Sequence, residues 1–171
     1  MKPDMQTLVA KAKKGDAFAF AQLYEDIYKD LYRFAYCTMK HAEQAEDVVS
    51  TAILQAFEQI HKLRKNASFR SWIFQITANE CKKQFRQQTN FISYEENEPI
   101  EKSGAFTDLA ERFALKEAFD NLGEMERLIV ALTLFAGYNS REIAKHLKLK
   151  EGTVRSIKSR GLHKMKQFLN E

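Results

Sequence analysis

Apolar residues return every three or four positions through most of this chain and nowhere alternate strictly with polar ones, so the pattern predicts helices and no strands. A short helix ends at Gly15. A long amphipathic one follows from Asp16 to Lys40, with Phe20, Leu23, Tyr24, Ile27, Leu31, Phe34 and Ala35 on one stripe. Segment 42–63 keeps the spacing through Val48 or Val49, Ala52, Ile53, Ala56, Phe57 and Ile60. Arg64 to Ala67 reads as a loop, and Ser68 as the cap of a third helix over 69–88 that buries Phe69, Trp72, Ile73, Ile76 and Phe85. Two further helices, 109–122 and 124–137, are interrupted at Gly123 and Gly137.

The last thirty or so residues predict a helix-turn-helix. Its first helix starts at Ser140 as N-cap and buries Ile143, Ala144 and Leu147; Leu149 closes the turn, and Gly152 relieves crowding where the second helix begins. Placed at about 100° per residue, Val154, Ile157, Gly161, Met165 and Phe168 share one side of that second helix. Arg155, Ser156, Ser159, Arg160 and His163 share the other. One side packs, and the other is shaped to enter a DNA groove.

Charge sharpens this division. Residues 1–88 hold 14 Lys and Arg against 10 Asp and Glu, residues 89–108 hold 1 against 5, and residues 109–171 hold 12 against 8. The middle segment, which includes Pro99 and has no sustained helical period, reads as an acidic linker between two small domains. Within residues 141–171, 9 basic residues face 3 acidic ones, so a polyanion is the natural partner of that end. Cys37 and Cys81 are too few for a disulfide framework, and Cys37 with His41 lacks the further ligands of a zinc site. No segment has the apolar length of a signal peptide or membrane span, which predicts a cytoplasmic protein without membrane insertion.

Three segments in order, AEDVVSTAIL, SFRSWIFQITANECKKQFR and the EGTVRSIKSR of the terminal helix-turn-helix, resemble the extracytoplasmic-function sigma factors of bacterial RNA polymerase, the smallest branch of the sigma-70 family. The resemblance covers nearly the whole chain. It implies an all-α fold of two small helical domains, region two over 1–88 and region four over 109–171, joined by the acidic linker 89–108. It also implies core RNA polymerase (β′ clamp and β flap), promoter DNA and an anti-sigma factor as partners, with no cofactor, metal or catalytic residue.

By the same resemblance Glu46, Asp47, Val48, Ser50, Ile53 and Leu54 dock on the polymerase β′ clamp, where exposed carboxylates meet basic groups around small apolar anchors. Asn79, with Arg64, Lys65, Asn66, Ser68 and Arg70, falls where the family captures the non-template strand of the −10 element. Extruding a base there costs a few kcal/mol, offset by edge contacts that an amide can supply. Trp72 and Phe69 invite a stacking role but share the buried stripe with Ile73 and Ile76. Arg155, Ser156, Ser159, Arg160 and His163 align with the −35 reader, while Lys164 and Lys166 are assigned to phosphates. The chain departs from the family at Ser50, Thr51, Ala52 and Ile53, where Gln-Asp/Glu-Thr-Phe is usual, and at Lys83, where Asp is usual.

Two other functional classes compete with this reading. An autonomous helix-turn-helix regulator would share the reader helix but leave the linker and the SFRSWIFQITAN segment unexplained. An enzyme would have to draw on Glu43, Glu46, Asp47 and His41, which a charged helix face explains more simply.

Overall fold

A computed structural model describes residues 1–88 and 109–170, and every regular element among them is helical. The predicted acidic linker and Glu171 lie outside the described residues. In the amino-terminal half, α1 (Met5–Lys13) is capped by Asp4, whose carboxylate accepts from the Thr7 N–H at 2.8 Å. It stops at Gly15, whose φ of +96° is open to glycine at no steric cost. Asp16 caps α2 (Ala17–Met39) through the Ala19 N–H at 3.1 Å, and Lys40 closes that helix in the left-handed region. After α3 (Ala42–Gln59) and a 3-10 turn at Ile60–Lys62, a second 3-10 turn, Asn66–Ser68, leads into α4 (Phe69–Gln88).

Helix α2 is the spine. Helices α1, α3 and α4 pack against it, and its buried stripe holds Phe20, Leu23, Ile27, Leu31, Phe34 and Ala35 as the periodicity predicts; Tyr24 is half-buried. The stripe on α4 differs from the expectation. Phe69, Ile73 and Phe85 are buried, but Trp72 and Ile76 are only half-buried, while Phe74, Thr77 and Cys81 are buried as well. The reason is that α2, α3 and α6 (Glu124–Leu134) all contact α4, so more than one stripe is covered. Phe74 meets Phe34 edge to face, with centroids 5.6 Å apart. Burying a ring of that size contributes about 1.5–3 kcal/mol.

In the carboxy-terminal half, α5 (Leu109–Asp120), α6, α7 (Ser140–Leu147) and α8 (Glu151–Leu169) form the predicted four-helix unit. Two local readings need correction. The cap of α7 is Asn139, not Ser140: its side chain accepts from the Glu142 N–H at 2.9 Å, and the Glu142 carboxylate accepts from the Asn139 N–H at 2.8 Å. Gly152 relieves no crowding, since a Cβ there would meet open space. Gly161 is the glycine that packing requires. A Cβ at that position would lie 2.8 Å from Val130 Cγ2, so its absence lets α8 settle closely on α6.

The two halves pack directly on each other, chiefly through α2 with α5 and α6 and through α4 with α6. Arg127, buried on α6, donates from Nε to the Thr38 carbonyl at 2.8 Å and from Nη1 to the Leu122 carbonyl at 2.7 Å, with its guanidinium 5.8 Å from the Phe85 ring centre. In return Arg70, on α4, donates to the Phe135 carbonyl at 2.9 Å. The Tyr138 hydroxyl donates to the Ser71 carbonyl. Lys40 pairs with Asp120, Arg33 with Glu111, and Arg112 sits over the Tyr36 ring.

Candidate promoter and polymerase interfaces

Helix α8 presents its two faces as the helical wheel places them. Val154 and Gly161 are buried and Ile157, Met165 and Phe168 half-buried, while Arg155, Ser156, Ser159, Arg160, His163, Lys164 and Lys166 are exposed. Glu151 in the first turn suits the positive end of the helix and pairs with Arg155 at 3.1 Å. An exposed pair of this kind contributes only about 0.2–1 kcal/mol, so Arg155 can exchange it for a nucleic-acid acceptor. The charge on Lys164 is engaged within the protein. Its ammonium donates to both Glu126 carboxylate oxygens at 3.0 and 2.9 Å, stapling α8 to α6. Burial alone would raise the Glu126 carboxyl, but the Lys164 hydrogen bond, the Gly123 N–H and the nearby Lys164 and Arg160 charges hold it below the usual carboxylate range. Of the two lysines assigned to phosphates, Lys166 is the one that is exposed and not held by Glu126.

On α3, Glu46, Asp47, Ser50 and Leu54 are exposed and Ile53 is half-buried. Val48 points inward, 1% exposed, so it anchors the helix to its own core and offers no surface to a partner. Phe57 departs from its expected burial. It is 49% exposed one turn beyond Leu54, which is 59% exposed, and rests edge-on against Phe20 with centroids 5.1 Å apart. Carboxylates beside two uncovered apolar side chains make the mixed patch that protein docking uses. The exposure of Phe57 was missed because its spacing fits the apolar stripe as well as Ile53 does.

The residues grouped for −10 capture do not form one patch. Arg64 and Lys65 are exposed on the loop. Asn66 is held by α1, accepting from Lys13 Nζ at 3.2 Å and donating to the Gln6 carbonyl at 3.5 Å, and Ser68 is half-buried. Arg70 is drawn toward the other half of the molecule: besides the Phe135 carbonyl it pairs with Asp30 at 3.1 Å and lies over the Phe74 ring at 4.9 Å. Asn79 is exposed on α4 nine residues further on, which places it on the opposite side of the helix and about 14 Å along its axis.

The thiols of Cys37 and Cys81 are buried and free, and burial pushes the Cys37 thiol up to about 12 and Cys81 also upward. They are inert core groups under these conditions. Among the described residues no cluster of His, Cys, Asp and Glu could hold a metal, and no helix is long and apolar enough to cross a membrane.

The chain is similar to known proteins in both sequence and fold. Residues 23–91 match the family description Sigma-70 region 2 and residues 118–167 match Sigma-70, region 4. The chain is 28% identical to the ECF RNA polymerase sigma factor SigM of Mycobacterium tuberculosis, over 95% of this chain and 83% of the relative. Its fold resembles CnrH, solved in complex with the cytosolic domain of CnrY, at a TM-score of 0.68 and 21% identity, covering 97% of each chain. It also resembles the sigma factor RpoE of Bartonella quintana, solved with the anti-sigma factor NepR, at a TM-score of 0.69 and 21% identity, covering 88% of this chain and 96% of that one. With Sigma-70 regions 2 and 4 in order along a chain whose described elements are all helical, and an ECF relative matched over 95% of it, the protein belongs to the sigma-70 family as an extracytoplasmic-function RNA polymerase sigma factor.

Proposed function

We propose that residues 1–88 dock on core polymerase and capture the −10 strand, that residues 109–171 read the −35 element, and that the acidic segment 89–108 joins them inside the holoenzyme. The observation that carries this reading is the exposed Arg155, Ser156, Ser159 and Arg160 face of α8, set on a helix whose opposite face is fixed by Val154 and Gly161. Arginine can bond both acceptors of a guanine edge, and the small hydroxyls between the arginines let the helix approach the groove floor. The Asp47 and Leu54 patch on α3 supplies the polymerase contact, with Glu46, Ser50, Ile53 and Phe57 around it. The chain acts by binding rather than catalysis, in the cytoplasm where polymerase works. The likeness to CnrH and to RpoE, the latter solved with the anti-sigma factor NepR, supports an anti-sigma partner for this chain.

Core polymerase supplied with this protein is therefore expected to initiate at a defined promoter and without it to initiate only nonspecifically. Asn79→Ala is expected to leave polymerase binding intact and to reduce opening of the −10 element, because its contacts form only after a base has left the stack. Permanganate footprinting of the open complex reads this directly. Normal melting with Asn79→Ala would remove that residue from the site.

A further inference from the structure

Glu80 is a buried acidic residue that neither the promoter contacts nor the polymerase contacts use. It lies on α4 at 6% exposure, one residue after Asn79. A carboxylate so placed is costly unless it is bonded, and an apolar side chain of similar size would suit the core better. Among the described residues its hydrogen bond comes from the neighbouring helix: Gln55 Nε2, on α3, donates to Glu80 Oε1 at 3.0 Å. Lys83 comes no nearer than 3.9 Å and is exposed, so it adds little. A second amide bond crosses the same two helices, from Gln88 Nε2 on α4 to Gln44 Oε1 on α3 at 2.6 Å. Because Gln44 meets Gln88 while Gln55 meets Glu80, the helices run antiparallel and are tied at two points. Gln44 and Gln55 stand eleven residues apart, about 16 Å along α3. Between them lie Glu46, Asp47, Ser50, Ile53 and Leu54 of the proposed docking face. Apolar packing is non-directional, whereas a hydrogen bond holds only over about 2.7–3.2 Å, so the two bonds set the register of α4 on α3.

We infer that Glu80 is a positioning residue for −10 strand capture: bonded to Gln55, it fixes α4 in register on the polymerase-docking helix and so sets where Asn79 stands relative to bound polymerase. This role rests on the proposed reading that α3 docks on polymerase and that Asn79 contacts the captured strand. Buried against α3, Glu80 itself offers no surface to either partner. It acts through its neighbour. Asn79 and Glu80 are consecutive residues of one helix, so any slip of Glu80 along α3 carries Asn79 with it. In the proposed complex polymerase is anchored through α3 and holds the DNA, and such a slip moves Asn79 against the extruded base. A base-edge bond tolerates little of this, since misplacing a reacting or recognising group by about 1 Å can cost on the order of a hundredfold in rate.

The test compares full-length Glu80→Met, Glu80→Gln and Asn79→Ala chains, each saturating core polymerase, on a promoter that the natural holoenzyme opens. Glu80→Met keeps the length of the side chain and removes the acceptor, so its thermal melt is expected to match or exceed that of the natural chain. Its affinity for polymerase is expected to be unchanged, while the rate of −10 opening, read by permanganate, falls on the order of tenfold. Glu80→Gln retains an acceptor for Gln55 and is expected to restore opening. A purely structural role would lower the melt and both functions together; it does not give a stable chain that docks normally and opens poorly. If Glu80→Met lowers helicity, the double variant Gln55→Met, Glu80→Met takes its place, because removing both partners leaves no unpaired polar group. Normal opening or weaker polymerase binding by the folded variant would overturn the role of Glu80, as would a defect that Glu80→Gln shares in full. Combined with Asn79→Ala, Glu80→Met is expected to add no further loss, since both act at one contact; additive losses would show that Glu80 acts elsewhere. Normal opening by Asn79→Ala overturns the strand assignment and the positioning role together, whereas impaired Asn79→Ala beside normal Glu80→Met overturns the positioning role alone.

Discussion

Core polymerase is expected to bind the Asp47→Arg chain about 2–4 kcal/mol more weakly, roughly a thirtyfold to thousandfold rise in Kd, while the variant remains folded. The carboxylate is exposed on α3, whose inner side is fixed by Val48, Val49, Ala52 and Ala56, so the substitution alters the surface and leaves the packing alone. On the proposed reading the loss arises because the arginine would face a basic partner surface, where like charges repel at short range. Titration of labelled core polymerase with each chain, alongside a thermal melt, measures it. Equal affinity for two equally folded chains would contradict docking through this face.

The second large effect concerns the reader helix. Arg160→Ala is expected to cost on the order of 1–3 kcal/mol at the natural promoter and to relax selection at one or two base pairs of the −35 element. Lys166→Ala is expected to weaken all sequences about equally, because a phosphate contact carries no base information. The Lys164 staple to Glu126 gives Lys164→Ala a different signature, lost stability of the carboxy-terminal half together with weaker binding. Transcription from a library of −35 variants distinguishes these outcomes. Identical promoter profiles for Arg160→Ala and Lys166→Ala would show that the division between base and phosphate roles is wrong.

Where a helix buries a single stripe, its sequence was enough to find it. The α2 stripe as far as Leu31 and the two faces of α8 follow from spacing, whereas every residue from Phe34 to Met39 at the end of α2 is buried and no single period encodes that. Helix α4 was harder because three helices cover it, and Phe74 belongs to a contact with Phe34 that no local period encodes. Val48 and Val49 could not be separated by spacing, and both are buried. Asn139 and Ser140 are both good caps; Glu142, three residues after Asn139, is the capping-box partner that favours Asn139. The candidate site was legible as a set of exposed side chains and not as an arrangement. The sequence does not reveal that Asn66 is held by α1 or that Arg70 reaches across to Phe135, since both depend on contacts far apart in the chain. The burial of Arg127 does have a signal in the sequence: it opens the run Leu128 to Leu132, every residue of which is buried, and a charge at the edge of such a run calls for a buried partner.

The central claim is that this chain selects promoters only as part of polymerase. On the proposed reading each half alone offers few phosphate contacts, so neither can hold promoter DNA tightly by itself. An electrophoretic shift series on promoter and scrambled duplexes, at roughly physiological salt where nonspecific affinity is already low, tests this most directly. The free protein is expected to bind both duplexes weakly and to lose that binding steeply as salt rises. Added core polymerase is expected to convert this into binding specific to the promoter and spanning both elements. Tight, sequence-specific binding by the free protein as a dimer would contradict the account and favour an autonomous helix-turn-helix regulator.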